Sequence, residues 1–168
     1  IQHSFICSFI NYDSSRMRTR TRNICTYNWR RTHLLKPCRR FKKTATKLNP
    51  VLKPYEINII NNELENLSYC LGKNLPSGVI HSDLFRDNAL FIGDNLTGVI
   101  DFYYACNGYY LYDLAIIVND WCLNMDYTIN LKRQDALISS YNKYRIIKEV
   151  EKEFWPNALR HAALRFWL

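Results

Sequence analysis

The chain has 168 residues, of which 48% are hydrophobic, and it contains only five glycines and five prolines. This composition fits a globular domain with a real core and excludes a disordered or fibrous protein. No apolar run approaches the roughly 20 residues that cross a bilayer, and no secretory signal pattern is present, so we expect a cytoplasmic protein without membrane association. The six cysteines form no C-x-x-C pair, which in that compartment indicates reduced thiols.

The net charge of +8 is unevenly distributed along the chain. Residues 1–53 carry 13 Lys and Arg against one acidic residue, whereas residues 54–168 carry 10 against 14. Residues 1–31 form a basic segment, and within residues 14–31 Arg alternates with Thr, Ser or Met without a helical apolar stripe. Three interpretations stand side by side: a nucleic-acid contact by Arg with Tyr27 and Trp29, a solvated segment, or the product of a disrupted reading frame. A basic run is a weak motif, so we expect no nucleic-acid partner.

The first clear element in chain order is an amphipathic helix that follows Pro54 and ends near Gly72. Its apolar residues recur at steps of three and four, which places them on one face. They are Ile57, Ile60, Leu64, Leu67 and Leu71. Short apolar runs then predict three strands, at 78–81, 88–92 and 96–102, with a turn at 93–95.

Three more helices are predicted, at 111–124, 132–147 and 156–168. Their apolar faces are Leu114, Ile117, Val118, Trp121 and Cys122 in the first, Leu137, Tyr141 and Tyr144 in the second, and Leu159, Ala163 and Phe166 in the third. Asp113 stands in the first turn of the first of them, where the helix dipole favours a carboxylate. Pro156 suits the first turn of the last one. The order of helix, short hairpin and helices predicts an α+β protein in which a small β-hairpin sits on a mainly helical body.

The hairpin lies inside the stretch "HSDLFRDNALFIGDNLTGVIDF", residues 81–102. Here His81, Asp83 and Asn88 fit the pattern H-x-D-x-x-x-x-N, and Asp101 follows at the far end of the hairpin. Phosphoryl transfer from ATP needs a carboxylate that accepts the proton of the attacking hydroxyl, and metal ions held on the phosphates. Mg²⁺ prefers oxygen ligands. Hairpin pairing would bring Asn88 and Asp101 together as metal ligands, while Asp83 faces the acceptor.

"VIHSDLFRDNALF" and "GVIDF" resemble the catalytic and metal-binding loops of the aminoglycoside-phosphotransferase-like kinases, small-molecule relatives of protein kinases. "GVIDFYYACNGYYLYDLAIIVNDWC" and "YNKYRIIKEVEKEFWPNALRHAALRFWL" resemble the bacterial homoserine kinases of that superfamily. The resemblance covers about residues 32–168. It implies the C-terminal, mainly helical lobe of a protein-kinase-like fold. It further implies ATP and L-homoserine as substrates, Mg²⁺ as cofactor, and O-phospho-L-homoserine, an intermediate toward threonine, as product.

The resemblance assigns roles residue by residue. Asp83 matches the catalytic base that accepts the hydroxyl proton of homoserine. Asn88 and Asp101 match the Mg²⁺ ligands. His81 matches the motif histidine, which packs and hydrogen-bonds the loop and transfers no proton.

Two supporting residues keep alternative roles. Asp113, in "YDLA", anchors either the catalytic loop or the substrate pocket. Arg86 either reaches a phosphate or the substrate carboxylate through its planar fork, or forms a local ion pair with Asp87. The apolar residues around Asp101 in "VIDF" predict a partly buried carboxylate that needs a partner.

The N-terminal ATP-binding lobe of such kinases, with its Gly-rich loop, strand lysine and paired glutamate, is not found in residues 1–53. Gly72 is the first glycine of the chain. We therefore expect a kinase C-terminal lobe at 32–168, truncated, behind a poorly organised or frame-disrupted segment 1–31, and inactive as it stands.

Other functions are also open. They are a kinase of the same superfamily acting on an aminoglycoside, choline or another amino alcohol, a catalytically dead nucleic-acid-binding module, and a pseudogene-like remnant. The oligomeric state is not indicated by the sequence.

Overall fold

A computed structural model describes most of the chain after residue 49. The predictions for the basic segment 1–31, for Gly72 as the helix stop and for the side chain of Leu67 lie outside the described residues. The described residues are 43, 44, 46, 47, 50–70 and 74–167.

Helices supply most of the described structure. The longest of them are α1 (Pro54–Cys70), α2 (Tyr110–Trp121), α3 (Leu131–Asn142) and α4 (Glu149–Trp167). The helices predicted after Pro54, at 111–124 and at 132–147 are confirmed, although α3 ends before the predicted residue. The chain turns away at that point because the Asn142 side chain accepts the backbone N–H of Ile147 at 2.9 Å.

Helix α2 is the centre of the core. Its predicted apolar stripe is buried, with Leu114 2%, Val118 0% and Cys122 1% exposed. The opposite side of the helix is buried as well, at Ala115 and Ile116, because α4 packs there through Ala162. A helix with apolar residues on opposite sides is typical of such a central position.

The last helix begins earlier than the sequence predicts. Helix α4 begins at Glu149, so Pro156 lies inside it and not in its first turn. Proline in a helix interior removes one backbone hydrogen bond and crowds the carbonyl four residues earlier. The helix nevertheless continues, because the buried residues Glu151 and Phe154 fix the turns before the proline.

The apolar faces predicted for α3 and α4 are only partly buried in the structure. Leu137 is buried, but Tyr144 is 42% exposed because α3 has already ended. Phe166, predicted on the apolar face of the last helix, is 43% exposed. The deeply buried positions of that helix include Ala162 and Leu164.

A buried ion pair holds the start of α4. Glu151 is fully buried, and both of its carboxylate oxygens accept from Nη2 of Arg145 at 2.7 Å. The backbone N–H of Lys148 donates to the same carboxylate at 3.0 Å. Arg145 also donates to the hydroxyl of Tyr141 at 3.1 Å, so the connection between α3 and α4 is tied to both helices.

Two small antiparallel sheets carry the loops between α1 and α2. Strand β1 (Ser77–Ile80) pairs with β4 (Cys106–Tyr109), with Gly78 opposite Gly108. The sequence reading missed β4, because "ACNGYY" shows no apolar alternation. Gly108 is required there, since a Cβ at this position would lie 2.4 Å from Cδ1 of Ile80.

The predicted hairpin is present as β2 (Ala89–Ile92) and β3 (Asn95–Val99). Ala89 pairs with Val99, Ile92 pairs with Asn95, and Gly93 adopts a φ of +57° in the turn. The third strand ends at Val99, whereas the sequence pattern extended it to residue 102. The α+β class and the small hairpin on a helical body are thus confirmed.

The hairpin is fixed to the helical body by the loop in front of it. Leu84 is fully buried in a core cluster that also contains Ala89, Leu114 and Ile117. Trp121 of α2 donates its indole N–H to the carbonyl of Leu84 at 3.4 Å.

Within the described ranges, no helix combines the length and the apolar character that crossing a bilayer requires.

Candidate active site

The loop between β1 and the hairpin is anchored by one buried carboxylate. Asp113, in the first turn of α2, accepts the backbone N–H of His81 at 2.9 Å and that of Ser82 at 2.7 Å. Burial raises the pKa of Asp113, while these two hydrogen bonds lower it. Of the two roles left open for Asp113, the geometry favours the anchor of this loop.

His81 connects the loop to the far end of the hairpin. Its ring is 1% exposed, and Nε2 lies 2.8 Å from the carbonyl oxygen of Ile100. The backbone N–H of Asp83 donates to Nδ1 at 3.2 Å, so Nε2 carries the proton. The ring also packs against Phe102 at 4.6 Å between centroids. Both ring nitrogens of His81 therefore form hydrogen bonds with backbone groups, one at Ile100 and one at Asp83.

Asn88 and Asp101 stand at the two open ends of the hairpin, as predicted from the strand pairing. The backbone N–H of Ile100 donates to the carbonyl of Asn88 at 3.0 Å, which continues the ladder past Ala89 and Val99. The side-chain amide of Asn88 donates to the carbonyl of Asp83 at 2.8 Å. That bond uses the nitrogen of the amide, so its oxygen is oriented away from Asp83.

Asp101 is exposed and not partly buried as its apolar neighbours suggested. It adopts a left-handed conformation, with φ 57° and ψ 61°, and its carboxylate accepts the N–H of Tyr103 at 3.4 Å. Aspartate tolerates this conformation better than most residues do. The strand ends before Asp101 because this turn redirects the chain, and the turn exposes the carboxylate. Ser82, at the other side of the site, also has a positive φ of 69°.

Asp83 lies between these elements with a side chain that is 15% exposed. Loss of water around the carboxyl raises the pKa of Asp83, the guanidinium of Arg165 opposes that rise, and the charge of Asp101 adds to it. The carboxylate of Asp101 is therefore close enough to Asp83 for its charge to act on it. A raised pKa makes a carboxylate a better proton acceptor near neutral pH.

Arg165 was missed in the sequence because it lies on α4, far along the chain from the motif. Its Nη1 donates to the carbonyl of Ser82, and its Nη2 lies 3.6 Å from Oδ1 of Asp83. Arg165 reaches the site because the fold places α4 beside the loop that carries Ser82 and Asp83. No local spacing rule in the sequence predicts such a contact.

Arg86 forms an ion pair other than the one predicted for it, while its contact with a phosphate or the substrate carboxylate stays a prediction. Its guanidinium is paired with Asp120 of α2 at 3.1 Å, and its backbone N–H donates to the same carboxylate at 2.7 Å. The predicted local ion pair with Asp87 is therefore wrong. Asp120, in "NDW", instead fixes the short 3₁₀ turn Arg86–Asn88, which presents Asn88 to the cleft.

The donor set fits a hard divalent cation that shares its ligands with phosphate. Asn88 and Asp101 offer one amide oxygen and one exposed carboxylate at neighbouring ends of the hairpin. Mg²⁺ is commonly held by one or two carboxylates together with phosphate oxygens and water. Among the described residues, no group of three or more His, Cys, Asp or Glu forms a complete protein cage for a metal.

Residues 17–147 match the phosphotransferase enzyme family. This chain belongs to that family. The match includes the whole loop and hairpin described above, and it begins inside the basic segment 1–31. The boundary at residue 32 stays a prediction.

The chain is similar to several curated proteins named homoserine kinase. It is 47% identical over 125 residues to that of Methylobacillus flagellatus, covering 74% of this chain and 39% of the relative. It is 41% identical over 126 residues to that of Neisseria meningitidis serogroup B, covering 75% and 41%. It is 52% identical over 94 residues to that of Pseudomonas aeruginosa, covering 56% and 30%. The chain thus spans about two fifths or less of the length of these relatives.

The fold is similar to that of a solved kinase. The structure of an ethanolamine kinase from Plasmodium vivax superposes with a TM-score of 0.56 over 90% of this chain and 46% of that one. The identity is 17%, so this likeness concerns the fold alone. It agrees with a partial lobe of a protein-kinase-like fold.

Proposed function

We propose that this chain forms the acceptor and metal side of an ATP-dependent homoserine kinase, which transfers the γ-phosphoryl group of ATP to the hydroxyl of L-homoserine. The observation that carries this proposal is the juxtaposition of Asp83, Asn88 and Asp101 by one anchored loop and one hairpin. Family membership supports the reaction class. The names of relatives that are 41–52% identical support the acceptor.

Asp83 is the proposed proton acceptor. The hydroxyl oxygen of homoserine attacks the γ-phosphorus, the bond from that phosphorus to the β,γ-bridging oxygen breaks, and the hydroxyl proton passes to the carboxylate of Asp83. ADP leaves with the bonding electron pair. Positioning contributes as much as proton transfer in such reactions. The bonds from Asp113 to the loop and from Asn88 to the Asp83 carbonyl supply that positioning.

Asn88 and Asp101 would hold the divalent cation, for which we propose Mg²⁺. When bound, the cation neutralises charge on the phosphate oxygens. Asp101 lies close enough to Asp83 to raise its pKa, and we propose that the phosphoryl group passes between these two carboxylates. The left-handed turn at Asp101 keeps its carboxylate on the open side of the cleft.

We further propose the cytoplasm as the location of this activity and O-phospho-L-homoserine as its product. The cysteines Cys106 and Cys122 are free thiols, which supports a reducing compartment. An acceptor such as an aminoglycoside or choline would use the same three residues. The relatives do not favour those acceptors.

The proposal is tested in a chimera. In the M. flagellatus homoserine kinase, the 125 residues that align with this chain are replaced by the aligned residues of this chain. Purified chimera is mixed with MgATP and L-homoserine, choline, ethanolamine or kanamycin, and the product is identified by ³¹P NMR. We expect phosphohomoserine and no other phosphorylated acceptor. A folded chimera that binds ATP and phosphorylates another acceptor in preference to homoserine would disprove the proposed substrate.

A further inference from the structure

The guanidinium of Arg165 lies beside the proposed catalytic base with a defined orientation. Nη2 is 3.6 Å from Oδ1 of Asp83, and the Arg165 side chain is 18% exposed. The rings of Tyr104 and Phe166 lie against it, each with its centroid 4.8 Å from Cζ. Stacking on aromatic rings restricts an arginine side chain and leaves the edges of its planar group for hydrogen bonds.

Arg165 has more N–H donors than its contacts with the described residues use. Its contacts are with the Ser82 carbonyl, the Ser82 hydroxyl at 3.4 Å and the hydroxyl of Tyr112. These contacts use three of the five N–H donors of a guanidinium. The 3.6 Å separation from Asp83 exceeds an ordinary hydrogen bond. Within the described part of the chain, two donors are therefore left for a bound group beside Asp83.

The negative charges near Asp83 favour a fixed cation beside it for the binding of an anionic acceptor. The carboxylates of Asp101 and Asp87 both raise the pKa of Asp83, which places three negative groups near one another. An incoming carboxylate is repelled by them unless a fixed positive charge is close. Arg86, the sequence candidate for this contact, is instead paired with Asp120.

We propose that Arg165 binds the α-carboxylate of an amino-acid acceptor whose side-chain hydroxyl faces Asp83. This assignment rests on the proposed function and deepens it, because it names the contact that selects an amino acid. Arginine recognises carboxylates through two parallel N–H donors. In a short hydroxy amino acid only a few bonds separate the hydroxyl from the carboxylate, so adjacent Asp83 and Arg165 match the two ends of one molecule.

The contact would discriminate against amino alcohols. An acceptor without a carboxylate leaves the remaining donors of Arg165 unused in a partly buried site. Sites built to hydrogen-bond a substrate group reject analogues that lack this group more strongly than apolar pockets reject a missing methylene. Arg165 would therefore be a specificity-determining residue.

The test is binding to the full 168-residue chain, which does not require turnover. Dissociation constants are measured by NMR titration for L-homoserine and for L-homoserinol, in which the carboxylate is replaced by a CH₂OH group. The variants are Arg165→Met, which removes the charge, and Arg165→Lys. Arg160→Met is the matched control on the same helix, where Arg160 pairs with Glu63 of α1 away from the loop.

We expect the unchanged chain to bind homoserine about tenfold or more tightly than homoserinol, the usual worth of a charged hydrogen bond. Arg165→Met should remove this preference by weakening homoserine binding only, Arg165→Lys should keep part of it, and Arg160→Met should keep all of it. Equal affinities of the unchanged chain for the two ligands would overturn the assignment, even if Arg165→Met failed to fold. Homoserine binding that does not depend on Arg165 would overturn it and leave the proposed function standing. Binding of neither ligand would count against both.

Discussion

The carboxylate of Asp113 and the backbone N–H of His81, 32 residues apart in the chain, are joined by a buried hydrogen bond of 2.9 Å. The same carboxylate accepts the N–H of Ser82, which has a left-handed backbone conformation. One side chain at the start of α2 thereby fixes the loop that carries Asp83. Strained residues near a functional site persist when the surrounding contacts determine them.

The first prediction concerns this anchor. In Asp113→Asn, one oxygen is replaced by an NH₂ group that faces a backbone N–H, so a buried donor loses its acceptor. We expect the free energy of unfolding of the 168-residue chain to fall by about 1–3 kcal/mol, measured by urea denaturation. Asp135→Asn, at an exposed position of α3, is the control and should leave it unchanged. Equal stabilities of the two variants would show that Asp113 does not anchor the loop.

The second prediction concerns Asp101, the proposed metal ligand at the left-handed turn. Asp101→Asn keeps a side chain that tolerates this conformation and removes the negative charge. In the chimera we expect the Mg²⁺ concentration for half-maximal turnover to rise by about tenfold or more. Asp94→Asn, in the exposed hairpin turn, should have no effect. The role of Asp101 would be refuted by an unchanged Mg²⁺ requirement.

The third prediction compares two glutamates at the start of α4. Glu151 is buried and paired with Arg145, whose side chain is 24% exposed, while Glu149 is 83% exposed and paired with Lys152. Glu151→Gln places an NH₂ group against the guanidinium and should lower the free energy of unfolding by about 3 kcal/mol. Glu149→Gln should change it by less than about 0.5 kcal/mol. Chemical denaturation measures both, and similar losses would contradict the difference in burial.

The fourth prediction is a pH dependence of stability. Burial and the charge of Arg165 lower the pKa of His161 from 6.5 to about 4. A folded pKa below the unfolded one means that the stability is fully present above pH 6.5 and is lost as the pH falls toward 4. Over this window the unfolded state binds a proton that the folded state does not. This lowers the free energy of unfolding by about 3 kcal/mol at pH 4.

His161→Phe provides the comparison, because it keeps a ring against Tyr112, 4.8 Å away in the native pair, and cannot titrate. Free energies of unfolding are measured for both chains from pH 7 to pH 4. We expect the native chain to lose more stability than the variant over this range. Parallel curves would show that His161 is not held neutral by the fold.

The sequence was most informative where local rules decide the structure. The short apolar runs at 88–92 and 96–102 and the turn at 93–95 predicted the hairpin, and the hairpin placed Asp101 near Asn88. Strand pairing converts such spacing directly into proximity, so these residues were found without a structure. The resemblance of the same motif to known kinases identified the correct family.

The remaining features depend on tertiary contacts that no local pattern encodes. Strand β4 forms because Gly108 allows close approach to Ile80, and "CNGY" alone reads as a loop. The pairing of Arg86 with Asp120 and the return of Arg165 to Ser82 join residues that are 34 and 83 positions apart. Pro156 was misplaced because buried contacts of α4 outweigh its tendency to begin a helix.

The most direct test of the account is the turnover number of the chimera after Asp83→Asn. The account predicts that kcat falls about 10²–10⁴-fold, the usual contribution of a positioned proton acceptor, while the circular dichroism spectrum stays unchanged. Asp87→Asn, an exposed carboxylate four residues further along the same loop, should retain activity. A kcat of the Asp83→Asn chimera equal to that of the unmodified chimera would mean that Asp83 is not the base.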